Sequence, residues 1–178
     1  MNPIHAIVDK INTAQLWEKE LCLKRNEYLK VKGSVDTRLY YVQGGSLRIF
    51  VIDAYEEHTI RFGYQGNFIA ALDSFITEQA SELYIQALKQ TELLVISKAA
   101  FMELVNSSAE NLHLWHTIME QMVYQQMERE RDILTSSPQE RYQRVLKRSP
   151  QLFQEIPHKY IASYLRMTPE TLSRLKKS

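Results

Sequence analysis

The sequence predicts an α+β fold in three parts: a roll of short strands preceded by helical segments, one long helix, and a small helical end. Three observations carry that prediction. All five glycines (Gly33, Gly44, Gly45, Gly63, Gly66) fall between residues 33 and 66 among dense β-formers, the texture of short strands joined by frequent turns in a sandwich or barrel-like roll. After Ser97 glycine disappears and apolar residues recur at helical spacing. From Ser137 onward nine Lys and Arg face three Glu, a net of +6, whereas residues 1–136 carry −5. The parts divide at 1–106, 107–136 and 137–178.

Residues 4–29 read as one or two amphipathic helical segments, with Ile7, Ile11, Leu16, Trp17 and Leu21 as buried candidates. Residues 39–42 and 47–52 flank Gly44-Gly45 and read as a hairpin. Further strands are expected at 59–62 and 83–88, and a short buried one at 93–96. The paired glycines serve turn chemistry, because no GxGxxG or Walker-type spacing is present.

Within 108–134, Leu112, Trp115, Met119 and Met122 follow a 3-4-3 spacing that continues to Gln126, Arg129 and Ile133. Such a seam suits a two-stranded coiled coil, and hence a homodimer. The same stripe would equally suit packing on the chain's own strands. Ser137, Pro138 and Glu140 then open a new helix as cap, first helical residue and capping-box acid, and it runs to about Arg148 before Pro150.

The last 22 residues read as two short helices around a tight turn. Ile161, Tyr164 and Leu165 form one apolar face, and Ala162 is small where a second helix would cross. Thr168 caps that second helix and Pro169 opens it. Leu172 and Leu175 face inward, which leaves Glu170, Thr171, Ser173, Arg174 and Lys177 outward. A helix-turn-helix needs this division, because a buried face fixes the crossing angle while a polar face meets base edges. Arg bridges guanine O6 and N7, Glu accepts from cytosine N4, and Ser or Thr reaches bases or phosphates. The +6 tail is the electrostatic footprint of a module that meets a polyanion.

Other function classes find little support. Hydrophobic residues make up 44% and charged residues 24%, which argues against wholesale disorder. The single cysteine, Cys22, cannot build a disulfide framework or a Cys-based zinc or iron–sulfur site. No secretory signal pattern and no apolar run of spanning length is present, so a cytoplasmic location is expected. No GxSxG, HExxH or supported carboxylate pair points to an enzyme. His113, His116 and Glu120 could share a helix face, which makes a metal site geometrically possible. Surface or interface histidines account for the same spacing, so no metal is assigned and no cofactor is implied.

The whole chain resembles the Crp/Fnr family of transcription regulators. Ile161-Ala162-Ser163-Tyr164-Leu165 with Thr168-Pro169-Glu170-Thr171-Leu172-Ser173-Arg174 is similar to the family's DNA-binding signature, particularly in its Bacteroidetes-type branch. The resemblance implies a jelly-roll-like double-stranded β-helix as sensor, a long dimerisation helix, and a helix-turn-helix. It implies that Glu170 and Arg174 read bases, and that Thr168 caps the recognition helix and touches phosphate. Implied partners are double-stranded DNA carrying an inverted repeat, a second copy of the chain, an effector of unknown identity, and RNA polymerase.

The sequence departs from the family pattern in several places. Gly66-Asn67-Phe68-Ile69 aligns with the family's Gly-Asp-Phe-Ile, so the cyclic-nucleotide cassette falls on Ala70-Ala71 and Ser81-Glu82. Alanine offers the ribose no acceptor, serine does not pair with phosphate as Arg does, and Glu82 repels it. Cyclic AMP in the usual mode is therefore not expected. The Fnr-type cysteine set is missing, a full β-wing after Ser178 is not expected, and Arg166 stands where the family's turn usually has Gly. The residues leave a second reading open: a dimeric ligand-sensing or interaction module with a decayed DNA-binding end.

Overall fold

The computed structural model describes residues 2–54 and 56–177. Helix α1 (Pro3–Thr13) is capped by Asn2, whose Oδ1 accepts from the Ile4 amide at 2.9 Å, with Pro3 in the first turn. It buries Ile7, Val8 and Ile11. The helical reading of 4–29 holds only to Thr13, because Gln15 takes a left-handed φ of 55° and the chain then enters strand β1 (Lys19–Leu23). Leu16 and Trp17 pack against the core from this link, and Trp17 stacks on Tyr41 with centroids 6.1 Å apart.

Strands β2 (Tyr28–Lys30), β3 (Leu39–Gly44), β4 (Ser46–Asp53), β5 (Glu56–Tyr64), β6 (Phe68–Ile69), β7 (Tyr84–Ala87) and β8 (Thr91–Ile96) complete two antiparallel sheets. Their orders are β1-β8-β3-β6 and β2-β7-β4-β5. The expected hairpin at Gly44-Gly45 is overturned by this topology. β3 pairs with β6 and β8, β4 pairs with β5 and β7, and the chain changes sheet at Gly45. Gly45 has φ +92°, and a Cβ there would lie 2.4 Å from the Gln90 carbonyl oxygen. Only glycine fits this corner. Val42, Leu47, Ile85, Ala87, Leu93 and Val95 fill the space between the sheets with no exposure.

Helix α2 (Leu72–Thr77) leaves the roll after β6, and helix α3 (Lys98–Asn106) follows β8, capped by Ser97. Helix α4 (Ala109–Leu134) runs for 26 residues from its Ser108 cap. Helix α5 (Pro138–Arg148) starts where the Ser137 hydroxyl accepts from the Glu140 amide, as its capping sequence predicts. Helices α6 (Leu152–Glu155), α7 (His158–Tyr164) and α8 (Pro169–Leu175) complete the described chain.

These C-terminal helices do not stand apart from the roll. Phe62 and Leu88 of the roll share one buried cluster with Val145, Ile156, Ile161, Leu165 and Leu172. The buried guanidinium of Arg48 links the same surfaces: it donates to Gln86 Oε1, pairs with Glu57 and lies 4.6 Å from the Tyr160 ring centroid. The architecture is therefore a β-roll, a long helix and a small helical unit seated against the second sheet.

Candidate nucleic-acid interface

Helices α7 and α8 cross over a core of Ile161, Ala162, Leu165 and Leu172, each at most 1% exposed. In the turn between them, the Arg166 amide donates to Ser163 and the Met167 amide to Ala162. Arg166 itself sits at φ 51°, a left-handed conformation that costs a residue with a Cβ about 1 kcal/mol relative to glycine. Thr168 then caps α8, its Oγ1 accepting from the Thr171 amide at 3.2 Å. Glu170, Ser173, Arg174 and Lys177 are exposed, and Thr171 is half-buried. Hydrogen bonds from the Glu170 amide and the Thr168 hydroxyl, with a smaller share from Arg174, hold the Glu170 carboxyl below its usual range. Glu170 is thus an acceptor at neutral pH.

The basic tail is less free than its composition suggests. Arg141 Nε donates to the Leu165 carbonyl at 3.0 Å, and its Nη atoms reach the carbonyls of Thr135, Ser136 and Arg166. One guanidinium therefore staples the end of α4 to the interhelical turn. Arg144 and Arg148 pair with Glu128 and Asp132 of α4, and Asp132 has no exposed side-chain surface. Lys176 Nζ lies 2.6 Å from His158 Nε2. Lys147, Lys159, Arg166, Arg174 and Lys177 remain exposed. The structural part of Arg141 was not legible locally, since its acceptors in the turn lie 24 and 25 residues away.

The cassette positions are tied into the roll. Ala70 and Ala71 are buried. Ser81 Oγ donates to Asp73 Oδ1 at 2.8 Å, the Glu82 amide to Asp73 Oδ2 at 2.9 Å, and the Ser74 amide to Oδ1 at 2.8 Å. Burial alone would push the Asp73 carboxyl up, but these bonds together outweigh it and hold the group below its usual range. The Glu82 carboxylate pairs with Lys32. A protein carboxylate thus accepts from the Ser81 hydroxyl and from the Ser74 and Glu82 amides together. Asp73 escaped the sequence reading because a lone Asp near a turn carries no distinctive signal.

Helix α4 has two apolar faces. Trp115 packs edge-on against Phe101 of α3, with ring centroids 5.3 Å apart. Met119 and Met122 are half-buried along a cleft beside the roll, and Arg129 is buried farther along the same face. Of the four residues expected to form one dimer seam, only Leu112 is exposed, at 38%. Within this chain, Trp115, Met119 and Met122 are half-buried toward the roll. The exposed apolar residues are Leu112, Val123, Tyr124, Met127 and Leu134. Among the described residues, no group of three His, Cys, Asp or Glu side chains is placed to hold a metal ion. No described helix is long and apolar enough to cross a membrane.

The chain thus combines a β-roll, a long helix and two short helices around a tight turn. Residues 20–108, half of the chain, match the family described as Cyclic nucleotide-binding domain, and the chain belongs to that family. Among solved structures it is similar to FixK2 from Bradyrhizobium japonicum, at 14% identity and a TM-score of 0.72, over 89% of this chain and 82% of that one. A CooA variant from Carboxydothermus hydrogenoformans matches at 14% identity and a TM-score of 0.74, over 96% and 82%. The catabolite activator protein of Thermus thermophilus matches at 19% identity and a TM-score of 0.57, over 98% and 85%. At these identities the likeness is one of fold. No curated protein sequence matches significantly.

Proposed function

We propose that the chain is a homodimeric, sequence-specific DNA-binding transcription regulator of the Crp/Fnr type. Residues 1–106 serve as sensor, 107–136 as dimerisation helix and 137–178 as DNA-binding unit. One observation carries this reading: Thr168 caps a helix that buries Leu172 and turns Glu170, Ser173, Arg174 and Lys177 to solvent. In a major groove Arg174 would read guanine and Glu170 cytosine, one helical turn apart on the same face. Thr171 and Ser173 lie within reach of bases or backbone, while Thr168 and Lys177 meet phosphate.

Dimerisation uses the exposed face of α4, where Leu112, Val123, Met127 and Leu134 lie free at spacings compatible with a coiled-coil seam. Two α8 helices then stand about one DNA turn apart, so the operator is an inverted repeat with half-sites roughly 34–36 Å apart. The effector is not cyclic AMP in the usual mode, given the Asp73 hydrogen bonds. RNA polymerase is the partner through which such a regulator acts, and the cytoplasm is where it works.

A binding-site selection on random DNA, together with sedimentation of the wild type and the double variant Val123→Asp/Met127→Asp, tests this reading. A palindromic consensus and a dimer that becomes monomeric are the expected results. The second reading, a dimeric sensing module with a decayed DNA end, is favoured by the internal engagement of Arg141, Arg144 and Arg148. A dimer that recovers no consensus and gives no salt-sensitive gel shift would replace the first reading with the second.

A further inference from the structure

Arg166 occupies the turn between α7 and α8 at φ 51°, in the left-handed region. A side chain with a Cβ is strained there, as glycine is not. Such strain persists only where the surrounding structure over-determines the backbone, and it concentrates at functional positions. Here the Arg166 amide donates to the Ser163 carbonyl at 3.1 Å, and the Arg166 carbonyl accepts from Arg141 Nη2 at 3.2 Å. On either side, the Leu165 carbonyl accepts from Arg141 Nε and the Met167 amide donates to the Ala162 carbonyl. None of these bonds uses the Arg166 side chain, so a glycine would keep every one of them.

The Arg166 side chain is exposed, and among the described residues it forms no ion pair and no side-chain hydrogen bond. Arg141, Arg144 and Arg148 are all engaged within the chain. A like charge lies near Arg166 instead: burial is the chief force lowering the Arg129 guanidinium, and Arg166 and Arg148 push it the same way. An arginine that strains the backbone and supports nothing within the chain is suited to an anion from outside. We propose that Arg166 is a DNA-backbone contact, its guanidinium meeting a phosphodiester oxygen beside the phosphate at Thr168, two residues on. The planar fork of arginine matches phosphate geometry. The turn lies outside the face of α8 that carries Glu170 and Arg174, so the contact positions α8 on the duplex and reads no sequence. Arg141, by fixing the turn, holds this charge in place beside the cap. The contact rests on the proposed function, since it requires that the helix-turn-helix meet DNA.

Three variants separate charge from strain. Arg166→Gly removes both, Arg166→Gln removes the charge and keeps the strain, and Arg166→Lys keeps the charge. Each full chain is titrated, over a range of salt concentrations, with the duplex recovered by site selection and with mixed-sequence duplex, and its thermal unfolding is followed without DNA. Arg166→Gly and Arg166→Gln should weaken both duplexes by the same factor, at least about fivefold, and lower the salt slope by about one per half-site. Arg166→Lys should keep the wild-type slope and most of the affinity. The thermal midpoint of Arg166→Gly should be no lower than that of the wild type, so its weaker binding does not come from a damaged fold. Unchanged affinity and slope in the Gly and Gln variants would overturn the contact and leave the helix-turn-helix reading standing. An Arg166→Lys slope as low as that of Arg166→Gln would overturn it too, as would a loss confined to the selected duplex, which would make Arg166 a base reader. A wild-type chain that binds neither duplex in a salt-sensitive way would overturn the proposed function itself, and this contact with it.

Discussion

The turn at 70–82 and helix α8 are the two places where the family resemblance puts a phosphate, and they dispose of their polar groups in opposite ways. At 70–82 the Ser81 hydroxyl and the amides of Ser74 and Glu82 all end on Asp73. On α8 the cap is closed between Thr168 and Thr171, while Glu170, Ser173, Arg174 and Lys177 stay exposed. A donor that already has a good internal acceptor gains little by exchanging it for a ligand. The two regions teach that polar groups at one place can close on a protein carboxylate while those at another stay open to solvent. Asp132 does for the C-terminal unit what Asp73 does for the roll, since it takes up arginines that would otherwise face outward.

The comparison breaks first at Asp132. Asp132→Ala should cost about 2–3 kcal/mol in urea denaturation, because it leaves the half-buried Arg144 and Arg148 with Glu128 as their one carboxylate partner among the described residues. A loss under about 1 kcal/mol would mean that the two arginines find water instead. Asp73→Ala comes next, with an expected loss of about 2–3 kcal/mol as its three donors lose their acceptor. Calorimetry on this variant should still show no cyclic AMP binding, since Ala71 and Ser81 are unchanged. The native Asp73 carboxyl is held below its usual range, so its contribution is complete above the unfolded value of about 3.9. It is lost as pH falls below that value and through the depressed folded one. Asp73→Asn should flatten that acid limb of the stability profile.

On the open side of the comparison, Arg174→Ala should leave stability unchanged and weaken specific DNA binding by about 1–3 kcal/mol, relaxing one position per half-site. Lys177→Ala should weaken all sequences alike and lower the salt slope by about one per half-site. Equal losses for Arg174→Ala on specific and random DNA would place that side chain on the backbone. The smallest effect is expected at the turn. Arg166→Gly should raise stability by up to about 1 kcal/mol, because glycine accepts the φ of 51° without the Cβ conflict.

What the sequence revealed follows from the range of each interaction. The strands at 39–52, 59–62, 83–88 and 93–96 were legible because β-formers and glycine punctuation act locally. Residues 19–23 (Lys-Glu-Leu-Cys-Leu) form an edge strand mostly exposed or half-buried, so no clean period separated them from the helix before. The sheet change at Gly45 was hidden because a two-glycine link looks the same whether it joins neighbours in a sheet or strands in facing sheets. The contact with Gln90 decides it. The two α4 registers have the same periodicity, and only the position of Phe101 reveals that Trp115 faces home. The α7–α8 unit was the most legible part, since its cap, its small residue and its buried leucines are all local. Arg141 was not, because its acceptors in the turn lie 24 and 25 residues away, and Asp73 was not, because a single Asp near a turn carries no pattern.

The cluster that joins Phe62 and Leu88 to Val145, Ile161, Leu165 and Leu172 makes the helical end a graft rather than a bead on a string. A fragment cut after Ser136 would present Phe62 and Leu88 to water, and a transplanted C-terminal unit would leave its own half of that apolar seam bare. Recombination at this junction therefore has to exchange both halves of the seam together. In amide hydrogen exchange, the backbone of α7 should open in step with strand β5, not ahead of it.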